Sequence, residues 1–170
     1  NQKKKYILVT LHRQENVDDK NNLKKIFTEL NLLTVNHNMN IIFPTHPRTR
    51  KNIVKNKIKI SKKIKLIKPV GFFDFVDLEK HAFFVITDSG TVQEECAIFK
   101  TPVIIARDST ERPETIESGS AVVSGKKLNN VSALAKLQVL NSQNQDSIKD
   151  YQIADVSSKV IKIILSNHIY

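Results

Sequence analysis

An α/β domain built on a doubly wound parallel sheet is to be expected from this chain, on three observations. Short β-branched runs bounded by turn residues recur along it, helical patterns separate them, and the polar residues best suited to chemistry sit just past the ends of the runs. Strands alternating with helices make βαβ units, and a parallel strand covered on both faces reads as an unbroken apolar run.

The first run, Tyr6 to Leu11, is predicted to be a strand. A helix follows from Asn21 to Val35, because Leu23, Ile26, Phe27, Leu30 and Leu33 repeat at the three-and-four spacing of a buried stripe. Strands at Asn40 to Pro44, Ile64 to Ile67, Phe83 to Thr87, Val103 to Ala106 and Ala121 to Val123 alternate with helices at Thr49 to Lys57, Phe73 to His81, Val92 to Phe99 and Glu114 to Glu117. Two last helices are read at Val131 to Leu140 and Val156 to Leu165. In such a sheet ligands sit beyond the carboxyl ends of the strands. His12 and Arg13 follow the first strand, His46 the second, Asp88 and Ser89 the fourth, and Arg107 and Arg112 the fifth.

Composition narrows the classes. The chain has 170 residues, of which 40% are hydrophobic, enough for one domain with a proper core. No apolar run approaches the roughly 18 residues of a membrane span, and the start lacks a secretory signal, so a cytoplasmic protein is expected. Cys96 stands alone, which excludes an internal disulfide and a thiolate zinc cluster; a small buried side chain is its expected role. His12, His37, His46, His81 and His168 show no ligand-like clustering, so neither metal nor cofactor is implied. The formal charge of +10 suits phosphate-bearing partners in general. Much of it lies in the lysine-isoleucine alternation from Lys51 to Lys68, read as a solvated face; nucleic-acid binding is not expected, since no stacking surface or basic heptad accompanies it. The first residue is Asn1, and a piece of a longer protein is expected.

The run FFVITDSGTVQEECAIF passes from a buried strand through Asp88, Ser89 and Gly90 directly into a helix. The first N–H groups of that helix point at the strand end and can bind an anion, for which a diphosphate is the natural guest. Gly90 is expected to let the chain turn and a ligand approach, Ser89 to add a hydroxyl, and Glu95 to accept two hydrogen bonds from a ribose. Ordinary capping is the competing reading, with Asp88 or Ser89 as cap and Glu94 reaching back to a backbone N–H.

The segments TLHRQEN (Thr10 to Asn16), PTHP (Pro44 to Pro47), TDSGTVQEE (Thr87 to Glu95) and RDSTERPE (Arg107 to Glu114), in that order and spacing, resemble the successive motifs of the non-hydrolysing UDP-N-acetylglucosamine 2-epimerases. The likeness covers nearly the entire chain but only the second half of the family's fold. It implies a Rossmann-like domain, the carboxyl-terminal half of a glycosyltransferase-B-type fold, with residues 1–170 as a single UDP-binding unit and the amino-terminal catalytic half absent. It implies that Phe75 flanks the uracil, that Ser89 and Gly90 hold phosphate oxygens, that Glu95 binds the ribose and that Arg112 contacts the diphosphate; as a planar multi-donor cation Arg112 suits that role, and a neighbouring Glu111 or Glu114 is expected to hold its orientation. His12 is implied as the catalytic group facing the diphosphate and sugar across the cleft. Arg13, Glu15 and His46 occupy the positions that hold an activating second UDP-GlcNAc in bacterial relatives, although Arg48 and Thr49 replace the usual Asn-Pro after His46.

The resemblance further implies interconversion of UDP-GlcNAc and UDP-ManNAc by elimination and re-addition of UDP, with a homodimer at full length. An isolated half is expected to bind UDP weakly and to epimerise nothing. Thr91 stands where many members have a second glycine, which leaves open a modified UDP-amino sugar as substrate. A B-type glycosyltransferase and a non-catalytic UDP-binding fragment are the other readings. The final helix, apolar on several sides, is expected to lie partly bare without the other half.

Overall fold

The computed structural model describes residues 6–141 and 146–166. Six strands, β1 (Tyr6–Thr10), β2 (Asn40–Pro44), β3 (Ile64–Ile67), β4 (Val85–Thr87), β5 (Val103–Ile105) and β6 (Ala121–Val123), form one sheet in the order β3-β2-β1-β4-β5-β6. Every pairing is parallel. The chain winds from β1 out to β3, returns to the other side of β1 with β4, and continues to β6. The carboxyl ends of β1 and β4 therefore flank the point where the winding reverses, which is where such a sheet opens a crevice for a ligand.

The central strands β1, β4 and β5 are buried on both faces. Ile7, Val9, Ile41, Phe43, Ile86 and Ile104 point into one layer, where they meet Leu23, Ile26, Phe27, Leu30 and Leu33 of α2 (Lys20–Asn36) and Val131 and Ala135 of α7 (Val131–Asn141). Leu8, Val85, Val103 and Ile105 alternate into the other layer, against Ala82 and against Val92 and Cys96 of α5 (Gly90–Phe99). The period of two along each strand thus feeds two cores, and the predicted α2 stripe is the buried one. Cys96 is buried, as expected.

The other helices are α1 (Gln14–Val17), α3 (Pro47–Lys55), α4 (Phe72–His81), α6 (Pro113–Glu117) and α8 (Val156–Ser166), with a 3-10 turn at Lys149–Gln152. Neither α1 nor that turn was expected. With Val17 as its one apolar side chain, α1 has no period to detect, and Asn16 anchors it by tertiary bonds described below. Pro47 opens α3 two residues before its expected start, which suits a residue with no N–H to leave unpaired. Lys51, Lys55, Lys57, Lys59, Lys62, Lys65 and Lys68 are exposed, whereas Ile58 and Ile60 pack partly on the α2 side of the core. The basic stretch is a solvated face. No residue of α8 is buried, and its Val160, Ile161, Ile163 and Ile164 all lie open. No helix among the described residues is long and apolar enough to cross a membrane.

At the start of α2 the Asp19 carboxylate accepts from the Asn22 N–H at 2.6 Å. Asp19→Ala is expected to cost about 1 kcal/mol of stability, as loss of a capping oxygen does. Thermal denaturation should register it as a fall of about 2–4 °C.

Candidate functional site

Asp88 is the first residue past β4, and its carboxylate is fully buried. It lies beside the end of β1, where its N–H donates to the Thr10 carbonyl at 3.3 Å. The carboxylate accepts from the His12 N–H at 3.1 Å, the Arg13 N–H at 3.0 Å and the Asn16 side-chain amide at 2.8 Å. Asn16 also donates to the Ala106 carbonyl at 3.1 Å, which links β5 to the same point. A buried carboxylate is tolerated only when donors surround it. Here they come from the loop after β1, so Asp88 stitches that loop to the switch point. His12 Nδ1 lies 3.2 Å from Asp88 Oδ1. That contact sets the ring, leaving Nε2 outward on a side chain that is 57% exposed. Arg13 is held by a bond from its Nε to the Asp88 carbonyl at 3.0 Å.

The helix that follows, α5, begins at Gly90, two residues earlier than expected. Gly90 is therefore helical and not in a turn, and it is not among the described glycines with positive φ. A Cβ there would make ordinary van der Waals contact with Arg112, 3.6 Å from Nη2 and 3.7 Å from Cζ, so the guanidinium rests directly over the opening of α5. Neither Asp88 nor Ser89 caps this helix with its side chain, a correction to the capping reading. Asp88 is turned inward to the β1 loop, and the Ser89 N–H is bonded to Thr87 Oγ1 at 3.0 Å. An uncapped helix start beside a guanidinium can receive an anion, to which the helix end contributes about 0.3–1 kcal/mol.

Arg112 is braced from three sides. Its Nε is paired with the Glu94 carboxylate, and Nη1 donates to the Glu111 carbonyl at 3.2 Å. Its N–H donates to Thr110 Oγ1 at 3.1 Å, Thr110 donates to Gln93 Oε1 at 2.7 Å, and Gln93 returns to the Ser89 carbonyl at 3.1 Å. Glu94, not Glu111 or Glu114, thus orients the guanidinium, and Glu94 does not reach back to its own helix. Glu111 instead grips Arg107 through both oxygens at 2.8 and 2.6 Å, which holds its carboxyl at about 2. Glu114 takes the Tyr151 hydroxyl, and that bond lowers its pKa. The physical reason is register: three residues before Pro113 fold back onto α5, which brings the first turn of α5 closer to Arg112 than the acids on either side of it.

Residues 1–165 match the profile of the family described as UDP-N-acetylglucosamine 2-epimerase. The chain belongs to that family. It is 48% identical over 124 residues to the UDP-N-acetylglucosamine 2-epimerase of Methanocaldococcus jannaschii, a stretch that takes in 71% of this chain and 34% of the relative. It superposes with a TM-score of 0.87 on the crystal structure of the M. jannaschii UDP-GlcNAc 2-epimerase in complex with UDP-GlcNAc and UDP, at 37% identity, covering 95% of this chain and 45% of that one. A likeness to the E. coli heptosyltransferase WaaC with ADP, at 19% identity, 83% of this chain, 45% of that one and a TM-score of 0.54, shows the fold alone, the Rossmann-like half of a glycosyltransferase-B architecture. The chain spans less than half the length of these epimerases.

Within this epimerase-family domain the structure brings His12, Arg13, Ser89, Gly90 and Arg112 to one end of the sheet around the switch point. Glu95 lies half-buried one and a half turns into α5. Phe75 on α4 is half-buried against the second core layer, while Phe72 and Phe73 before it stand exposed with their rings edge to face at 5.6 Å. Glu15 is exposed on α1, and its negative charge helps to favour the charged form of Arg107, after the larger effect of Glu111. His46 is the N-cap of α3, its Nδ1 accepting from the Arg48 N–H at 3.2 Å. Asp88, Asn16, Gln93, Glu94 and Thr110 are the residues that motif reading passed over as supports. A buried Gln and a paired Glu in the first turns of an otherwise apolar helix were the available signal. Among the described residues no three His, Cys, Asp or Glu side chains form a metal group; His168 lies outside them.

Proposed function

We propose that this domain holds the UDP moiety of a UDP-N-acetylhexosamine for a 2-epimerase whose other half supplies the acid and base. The observation that carries the reading is the guanidinium of Arg112 poised over the uncapped start of α5, with His12 held nearby by Asp88. The N–H groups opening α5, the Ser89 hydroxyl and Arg112 take the diphosphate; Glu95 accepts from the ribose hydroxyls; Phe75 flanks the uracil. Carbon 2 of the sugar carries a proton with no adjacent carbonyl, so direct removal is slow. The reaction therefore runs by elimination: a base takes the carbon 2 proton, that electron pair forms the double bond between carbons 1 and 2, and the carbon 1–oxygen bond breaks toward UDP. Re-addition with the proton on the opposite face completes the inversion. Charge accumulates on the departing diphosphate, where helix N–H groups, Arg112 and His12 can stabilise it. Arg13, Glu15 and His46 form the wall that an activating second nucleotide sugar would meet, and the full-length protein is a homodimer acting in the cytoplasm.

Calorimetric titration of the chain with UDP tests this. Heat and saturation are expected, and a flat trace refutes the reading. Glu95→Ala should weaken UDP by about tenfold, as loss of charge-assisted bonds to the ribose does, and leave 2′,3′-dideoxyuridine diphosphate unchanged. In the same samples UDP-GlcNAc should keep its carbon 2 configuration by proton NMR until the amino-terminal half is added.

A further inference from the structure

Glu79, in the last turn of α4, is a carboxyl group for which the reading above has no use. Its side chain is completely buried. Neither carboxyl oxygen meets a donor among the described residues. Helix α4 packs against α5, and the charged group acting on Glu79 from that side is Glu95. On the β1 side, the Tyr6 hydroxyl is spent on the Leu78 carbonyl at 2.8 Å. On α4 itself, Asp77 faces solvent with His81, and Lys80 lies over the Phe99 ring at 5.1 Å. Two carboxylates facing each other with no cation between them repel, and they can bond only if a proton sits between them. The proton belongs on the more buried partner, because burial penalises the charged form most strongly there.

We infer that Glu79 is a positioning residue: in its neutral form it donates to Glu95 and fixes that carboxylate for a ribose diol. This rests on the ribose role given to Glu95 above. Glu95 needs one oxygen anchored while the other, with the remaining lone pairs, receives the two hydroxyls. A protonated Glu79 supplies the anchor without adding charge. Burial, followed by the Glu95 charge, raises the Glu79 pKa to about 8. Since its folded pKa lies above its unfolded value, the proton is bound more tightly in the folded chain. The Glu79 contribution to stability is therefore full below the ordinary glutamate range and is lost as pH rises through about 8.

The chain itself, labelled with carbon-13 at the glutamate carboxyls, gives the first readout. Glu79 is expected to titrate above pH 7, and Glu95→Gln to bring its midpoint down by at least a unit; a midpoint near 4.5 overturns the inference. Titration with UDP between pH 7 and 9.5 gives the second. Affinity should fall by about five- to tenfold across that range for UDP and stay level for 2′,3′-dideoxyuridine diphosphate. Glu79→Gln, which keeps a donor and cannot ionise, should abolish the pH dependence and raise the melting temperature at pH 9. Glu79→Met removes the donor without burying a charge, and should weaken UDP several-fold at pH 7 but spare the dideoxy analogue. Equal slopes for the two ligands, or an unchanged slope in Glu79→Gln, overturn the inference. If Glu95→Ala fails to weaken UDP relative to the analogue, the ribose reading itself falls. If Glu95→Ala does so and the Glu79 variants do not, only the positioning role falls.

Discussion

Asp88→Asn is expected to lower the melting temperature by about 6–12 °C, the equivalent of about 3 kcal/mol in a domain of this size. The wild-type carboxylate is completely buried and faces donors in every bonding direction: two backbone N–H groups, the Asn16 amide and His12 Nδ1. An asparagine whose oxygen takes the Oδ2 position still accepts from the His12 and Arg13 N–H groups and the Asn16 amide, but these three bonds lose their charge assistance, at about 1 kcal/mol each, and its NH2 group now meets His12 Nδ1. The change should also free the loop after β1, because the bonds that hold it cross from His12 and Arg13 to β4. Circular dichroism melting measures the first effect, and hydrogen exchange at the His12 and Arg13 amides the second. A fall below about 2 °C with unchanged protection at those amides would show that the β1 loop is held by something else.

The central strands β1, β4 and β5 were legible because each is covered on both faces. A parallel strand in that position must be apolar throughout, and runs such as FFVIT and VII bounded by turn residues have no other good use. Helix α2 was legible because one stripe meets one core layer. By contrast, α1 depends on a single apolar side chain and on Asn16, whose partners Asp88 and Ala106 lie 72 and 90 residues away. Nothing local announces such a helix. The opening of α5 was misplaced for a related reason. Glycine at its first position reads as a turn, and that Arg112 lies over it is a tertiary fact that no local pattern carries.

Site residues were legible as residue types and opaque as partnerships. Their position past strand ends follows from element order alone, so His12, Ser89 and Arg112 could be singled out. Which acid holds Arg112 is a matter of how the TERPE segment folds back on α5, and the sequence neighbours Glu111 and Glu114 were the wrong candidates. Glu79 illustrates a signal present but unread. Phe75, Leu78, Glu79 and Ala82 follow the spacing of one helix face, and the other three contribute to the second core layer. A carboxyl on that stripe had to be buried, and a buried carboxyl needs a proton or a partner.

Arg112→Ala is expected to weaken UDP about 30-fold, the loss of roughly 2 kcal/mol from charge-assisted bonds to a diphosphate. The side chain is 34% exposed, which places the effect toward the lower end of the range for such bonds. Arg112→Lys should cost about tenfold: the charge survives, but an ammonium cannot bond Glu94 and a phosphate oxygen at once from a rigid plane. Glu94→Gln should weaken UDP by about three- to tenfold, because the guanidinium then loses the tether that aims it at Gly90, while its own charge remains. None of the three should lower the melting temperature by more than about 2–4 °C, since an ion pair this open to solvent contributes little to folding. Titration calorimetry and thermal melts on the same samples separate the outcomes. An Arg112→Ala chain that binds UDP normally but melts far lower would mean that Arg112 serves the fold through Glu94, and that the diphosphate is held by the α5 amides alone.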